Sequence, residues 1–410
     1  MNLVCRFCGA TLRHTFADLG MSPLANAYLR VDQLEAMEPF YPLHVRVCSE
    51  CLLVQLPELK NPEHIFSDYA YFSSFSESWL RHCELYVGKM VQRLRLDQNA
   101  LVVEVASNDG YLLQYFAKAG VPVLGIEPAA NVASVARARG VPTEVAFFGE
   151  AFAARLASEG RRADLIAANN VLAHVPDIND FVRGFVALLK QDGVVTVEFP
   201  HLLNLIEQNQ FDTVYHEHFS YLSFGVVERI YARHGLRVFD VDRVPTHGGS
   251  LRVYACHAAS TAHGQGSRVV DLRELERGSG LHSLEAHTRV QDRLVALKCD
   301  VMEFFTRAKR EGRSVAGYGA PAKGNTLLNY CGIGPELLPY TVDRSPHKQS
   351  LFLPGTHIPI RHPDEIARTK PDYVFILPWN LKDEIMEQMA HVSDWGGKFV
   401  APIPEVRFLS

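Results

Sequence analysis

Leu101-Val102-Val103-Glu104-Val105-Ala106-Ser107-Asn108-Asp109-Gly110 joins a valine-rich apolar run to a turn of small and polar residues. Leu112–Ala119 follows at helical spacing, so the segment reads as strand, turn and helix. The same rhythm continues down the chain. Val123-Leu124-Gly125-Ile126 precedes a helix at Asn131–Arg139, and Asp164-Leu165-Ile166-Ala167-Ala168 and Gly193-Val194-Val195-Thr196-Val197 are further strands. Short apolar strands alternating with helices predict a parallel sheet covered on both faces, an α/β fold.

The first βα turn of such a sheet is where backbone meets ligand, and small residues permit that approach. The next strand ends in Glu127-Pro128, about 20 residues on, where a carboxylate can accept from both hydroxyls of a ribose. The dinucleotide fingerprint G-x-G-x-x-G is absent, with Ala106 and Asn108 standing where its first two glycines would be. The turn resembles instead the first motif of class I S-adenosylmethionine (SAM) methyltransferases, E-x-G-x-G-x-G. That resemblance implies a Rossmann-like SAM-binding domain with Glu104, Ala106, Ser107, Asn108, Gly110, Glu127 and Pro128 around the cofactor. An unliganded α/β turn is the plainer alternative. Phe147-Phe148 offers rings to sandwich an adenine, against the default of buried strand aromatics. Asn169 follows the fourth strand, where these enzymes receive substrate and methyl donor.

Upstream, Cys5, Cys8, Cys48 and Cys51 form two Cys-x-x-Cys pairs. Two such turns close a tetrahedral Cys₄ set that suits Zn²⁺ and leaves no position for a reacting water. The pairs read as zinc knuckles, and the metal as a structural staple for a small unit with little core. The other cysteines, Cys83, Cys256, Cys299 and Cys331, are unpaired in pattern, which points to a reducing cytoplasm.

With 410 residues, two or three domains are expected. A hydrophobic content of 47% and a charged content of 21% describe a soluble globular chain. The net charge of −5 argues against a general nucleic-acid partner. No signal peptide opens the sequence, and no stretch reaches the ~20 apolar residues that span a membrane. Ser76–Leu96 reads as a helix with Trp79, Leu80, Cys83, Val87, Val91 and Leu94 on one face. Ala258–Ser283, polar and rich in Gly, Ser and His, reads as a linker, followed by a long helix near Leu284–Arg310. Strand–helix alternation then resumes with strands at 314–318, 340–343 and 373–377, a second α/β unit. The expected division is 1–70, 71–257 and 258–410.

Tyr215-His216-Glu217-His218 is the densest set of proton-transfer groups in the chain. Histidine titrates near neutrality and can take up and return a proton at cellular pH. On a helix Tyr215 and His218 would share a face; on a strand His216 and His218 would. A surface turn, a satisfied core histidine and a second metal site compete with catalysis here. His247-Gly248-Gly249 marks another tight turn and reads as structural. In the last unit, Gly317-Tyr318-Gly319-Ala320-Pro321-Ala322-Lys323-Gly324-Asn325 again lies between strand and helix. It is not a Walker A loop, yet its N–H groups with Lys323 suit a diphosphate.

As an ensemble these segments resemble the nucleotide-sugar C-methyltransferases of deoxysugar biosynthesis, over essentially the full length. The carriers are the knuckles, Asn108-Asp109-Gly110, His174-Val175-Pro176, Tyr215-x-Glu217-His218, Gly317-Tyr318-Gly319-Ala320 and Lys348-Gln349. The resemblance implies a zinc-bearing domain, a SAM-binding domain and a C-terminal domain anchoring the nucleotide. It implies a dTDP-linked 4-keto-deoxysugar methylated on carbon, most simply C3, by a cytoplasmic enzyme that leans towards a monomer. Tyr215, Glu217 and His218 carry over as the catalytic cluster with His218 as base, and His174 and Tyr71 match further active-site positions. Tyr318, Lys323, Asn325, Asp343, Lys348 and His357 are then expected at the nucleotide. Where the family has an acidic residue this chain has His216, whose role stays open. The rival readings are an O- or N-methyltransferase and a zinc-containing binding module without catalysis.

Overall fold

The computed structural model describes residues 3–58, 73–75 and 77–409. Three sheets organise the chain. The first is antiparallel and runs through His14–Ser22, Tyr41–Val47, Val54–Gln55 and Ser220–Tyr221. Leu43, Val45 and Val47 alternate into its core, the period of two expected of a strand with one wet face. Its last strand comes from far along the chain and pairs Val54 with Tyr221.

The middle sheet has seven strands in the order Leu236–Val244, Ser250–His257, Leu189–Pro200, Ala163–Asn169, Val102–Val105, Val123–Ile126, Thr143–Glu144. The last five are mutually parallel, and the first two join antiparallel. Val102–Val105 is buried on all four residues, because helices cover both faces of a parallel sheet. Consecutive connections leave this strand in opposite directions, which opens a crevice at the carboxyl ends of Val102–Val105 and Ala163–Asn169. The helix Glu77–Leu94 buries Cys83, Tyr86, Val87 and Met90, a helical stripe against the sheet.

The expected linker is half helix. Ser267–Gly278 docks on the middle sheet through Val269 and Leu272, with Gly266 N–H bonded to the Phe239 carbonyl. Its polar composition misleads because buried Glu276 is matched: it accepts from the Phe224 and Gly225 N–H groups and pairs with His201. The long helix is Val290–Arg310, preceded by a short one at Leu284–Thr288. It covers a sheet ordered Ile360–Arg361, Thr341–Val342, Val315–Tyr318, Tyr373–Ile376, Lys398–Ala401, Arg407–Leu409, parallel except at its final strand. No helix among the described residues is long and apolar enough to cross a membrane.

Candidate active site

The first βα turn keeps a glycine-type backbone without the glycines. Ala106 and Asn108 hold φ at 57° and 48°, and Gly110 at 79°. The left-handed region is unfavourable for a residue with a Cβ, asparagine being among the most tolerant. Hydrogen bonds hold it: Asn108 N–H donates to Glu127 Oε2 and Ala129 N–H to Oε1, each at 2.9 Å. The Ser73 N–H donates to Asn108 Oδ1 at 2.9 Å. Asp109, fully buried, takes Arg139 Nη1 at 2.9 Å and the Ser74 hydroxyl. A Cβ on Gly110 would lie 3.0 Å from Val141 Cγ2, so this position has room for glycine alone.

Around that turn Ser107 Oγ and Asn170 Oδ1 are buried with no hydrogen-bond partner among the described residues. Such atoms are normally satisfied, and a polar ligand in the crevice would do so. Burial holds the Glu104 carboxyl well above the usual range, opposed by the neighbouring Tyr111 hydroxyl, which also contacts Asn169. Pro128 and buried Glu127 end the adjoining strand, with carboxylate lone pairs left for a ribose. These residues fit SAM. Of the two rings expected at the adenine, Phe148 packs on Phe181 and Phe185 at 5.3 and 5.6 Å between centroids. Phe147 alone is exposed.

Across the crevice lie the proton-transfer groups. The ring of His218 sits 4.0 Å from that of Tyr215 and 4.6 Å from that of His174, centroid to centroid. His218 Nδ1–H donates to the Thr213 carbonyl at 2.7 Å, and His174 Nδ1–H to the Glu217 carbonyl at 2.8 Å. A carbonyl only accepts, so each neutral ring carries its proton on Nδ1 and its lone pair on Nε2. Burial keeps both neutral: His174 is pushed down to about 4, and His218 well below its ordinary range. Burial raises the Glu217 carboxyl, whose Oε1 accepts from Asn26 Nδ2 at 2.7 Å. His216 faces away, edge-on to Tyr41 and donating from Nε2 to the Pro42 carbonyl at 3.3 Å. Tyr71 lies outside the described residues.

His247 belongs to this space too. Three consecutive residues, His247, Gly248 and Gly249, take φ of 55°, 88° and 109°. The imidazole is exposed to solvent and meets Trp79 edge-on at 5.4 Å. The turn rests on the buried carboxylate of Glu198, which accepts from Thr246 Oγ1 at 2.7 Å and pairs with His82 and Arg252. The tight turn read from His-Gly-Gly is present in these three left-handed residues.

The C-terminal unit closes the cleft. Lys323 Nζ donates to Asn380 Oδ1 at 3.0 Å and stands 5.0 Å over the Trp379 ring. Asn325 Nδ2 donates to the Ala25 carbonyl at 2.6 Å. Asp343 accepts from the Ala320 and Ser345 N–H groups at 2.8 Å, and Lys348 Nζ donates to the Ala320 carbonyl at 2.8 Å. Tyr28, which the sequence gave no reason to select, lies under Lys348 and donates to the same carbonyl at 2.5 Å. Of the other residues expected at the nucleotide, Tyr318 donates to Gln388 at 3.4 Å and His357 pairs with Glu38 at 2.9 Å.

The four knuckle sulfurs lie within 4.8 Å of one another, with Cys5–Cys51 and Cys8–Cys48 at 3.5 Å. A tetrahedral zinc at about 2.3 Å from each would space them about 3.8 Å apart, so the set fits the ion. Gly9 and Leu52, each following a second cysteine, are left-handed and turn the knuckles.

Comparison with known proteins identifies the domains. Three family models match in sequence: a zinc binding domain over residues 5–66, a methyltransferase domain over 79–241 and a C-methyltransferase C-terminal domain over 245–404. The C-methyltransferase NovU of Streptomyces niveus is 37% identical over 406 residues, 99% of this chain and 96% of that protein. A ubiquinone biosynthesis O-methyltransferase of Bartonella quintana is 27% identical over 101 residues, 24% of this chain and 41% of its own. Among solved structures, magnesium protoporphyrin IX methyltransferase of Synechocystis PCC 6803 with bound SAH covers 43% of this chain and 83% of its own, at 15% identity and a TM-score of 0.35. The PH0226 protein of Pyrococcus horikoshii OT3 covers 48% and 99%, at 15% identity and 0.38.

Proposed function

The chain belongs to the family of the C-methyltransferase NovU, a SAM-dependent methyltransferase with a zinc-binding domain, and on that premise we propose that it methylates C3 of a dTDP-linked 4-keto-deoxysugar. One observation carries the reading: His218 is a neutral imidazole with Nδ1 tied to a carbonyl and Nε2 without a hydrogen-bond partner among the described residues. That is the form in which histidine removes a proton. A C–H beside a ketone is acidic because the resulting enolate spreads charge onto oxygen, and methylation at carbon needs that step. SAM, held by the turn at Glu104–Gly110 and Glu127, supplies an electrophilic methyl.

In this reading Nε2 of His218 takes the C3 proton, and Tyr215 and His174 flank the enolate. Asn26 orients Glu217 beside them. The turn at 317–325, held in shape by Asp343, anchors the nucleotide diphosphate together with Lys348. Fixing carbon and methyl donor in line supplies much of the acceleration.

Incubation with SAM and a panel of dTDP-4-ketosugars should yield a product heavier by one methylene, read by mass spectrometry. Deuterium at C3 should wash into water. His218→Asn should fold normally and lose 10²–10⁴-fold in turnover, the range of a general base. Methylation without C3 exchange would favour a hydroxyl acceptor instead. Turnover by His218→Asn near that of the unaltered protein would remove His218 from the base role.

A further inference from the structure

Enolisation needs a donor at the ketone oxygen as well as a base at carbon. His174 and His218 do not supply it, since each neutral ring has given its one N–H to a backbone carbonyl. The C-terminal unit does. Among the described residues Lys323 has one hydrogen-bond acceptor, Asn380, and two of its N–H bonds meet no acceptor there. Its helix, Ala322–Cys331, is bonded to the segment that holds the base: Thr326 Oγ1 donates to the Val214 carbonyl at 2.9 Å. Trp379, beneath the ammonium, donates to buried Asp212 at 2.7 Å, next to the Thr213 that fixes His218. On the other side, a Cβ on Gly248 would stand 2.9 Å from Trp379 Cη2, so the His247 turn abuts the same indole. The charge of Lys323 accordingly reaches both His218 and His247.

We propose that Lys323 is a catalytic residue, reaching over the cleft from the C-terminal unit to donate to the ketone oxygen as charge develops there. This rests on the C-methylation reading above. In the step, the C3–H bond breaks and its proton passes to Nε2 of His218. The C–H electron pair forms the C3–C4 double bond, and the carbonyl π pair moves onto oxygen. The Lys323 ammonium hydrogen-bonds that oxygen and keeps its own protons. Lys323 would then act on the ketone, and the diphosphate would be left to Lys348 and the backbone of the 317–325 turn that Asp343 holds in shape.

The test uses the full-length zinc-loaded protein carrying Lys323→Met, which keeps the stem and removes the charge. Deuterium exchange at C3 of a dTDP-4-ketosugar and kcat at saturating sugar should each fall 10²–10³-fold. Affinity for dTDP alone should stay within about twofold, and Lys323→Arg should recover part of the exchange. If kcat at saturating sugar survives while dTDP binding collapses, Lys323 is a phosphate ligand and the proposal is wrong. Unchanged exchange overturns it equally. Should the Met variant melt early, Lys323→Gln carries the same comparison. Failure of the unaltered protein to exchange or methylate any ketosugar would instead sink the reading beneath the proposal, before a variant is consulted.

Discussion

The two histidines at the cleft are kept uncharged by burial, and that has a price in acid. Unfolded, each imidazole titrates near 6.5, while in the fold His174 titrates at about 4 and His218 well below 6.5. Between those values the unfolded chain binds protons that the folded one refuses, so stability rises with pH there. It is fully present above 6.5 and drains as pH falls toward 4. At about 1.4 kcal/mol per unit, His174 alone accounts for roughly 3 kcal/mol at the acid end. Melting temperatures measured from pH 7.5 to about 4 should therefore fall less steeply for His174→Asn than for the unaltered protein. Parallel curves would mean that His174 is protonated in the fold. Turnover should stay flat from about pH 8 to 6, because the base is already neutral there.

At the level of elements, the turn from Val105 to Gly110 holds its shape at three left-handed residues of which one is glycine. Ala106 bears strain of about 1 kcal/mol or more. Ala106→Gly should thus leave the melting temperature level or higher, with SAM affinity by calorimetry retained. Gly110→Ala meets Val141 in addition to the unfavourable φ and should lose about 1–3 kcal/mol and weaken SAM. The reverse order would mean that the turn relaxes freely. Much of this element was legible: strand, turn, helix and acidic strand end all follow from local composition. The backbone of Ala106 and Asn108 was not, because its supports, Glu127 and Ser73, come from elsewhere in the chain. The packing of Phe148 was hidden for the same reason, since its partners Phe181 and Phe185 belong to a later helix. His216 is the sharpest case. Neither a helical nor an extended reading of 215–218 puts it against Tyr41 and Pro42, which only tertiary contact supplies.

For the whole molecule, the knuckles bear on the chemistry although the metal takes no part in it. The Cys48–Cys51 turn leads into Val54–Gln55, which pairs with Ser220–Tyr221 directly after His218. Leu56 N–H donates to the Phe219 carbonyl at 3.0 Å, and Phe219 N–H to the Ala173 carbonyl at 2.7 Å, so one ladder ties the zinc unit to the segments that carry His174 and His218. Arg6, inside the first knuckle, donates to the Pro176 carbonyl at 2.7 Å and to the Leu56 carbonyl at 2.5 Å, and Gln55 Nε2 reaches Cys5 Sγ at 3.1 Å. These links join residues far apart in sequence, which is why the spacing of the cysteines reveals the metal but not its neighbour. In small thiolate sites metal binding is itself folding energy. Stripping zinc with a chelator should lower the melting temperature by roughly 10 °C or more and remove methyl transfer together. SAM should still bind, because the turn at 104–110 hangs on the middle sheet and not on this ladder. Restored zinc should return both stability and turnover; full turnover in the stripped protein would uncouple the knuckles from His174 and His218.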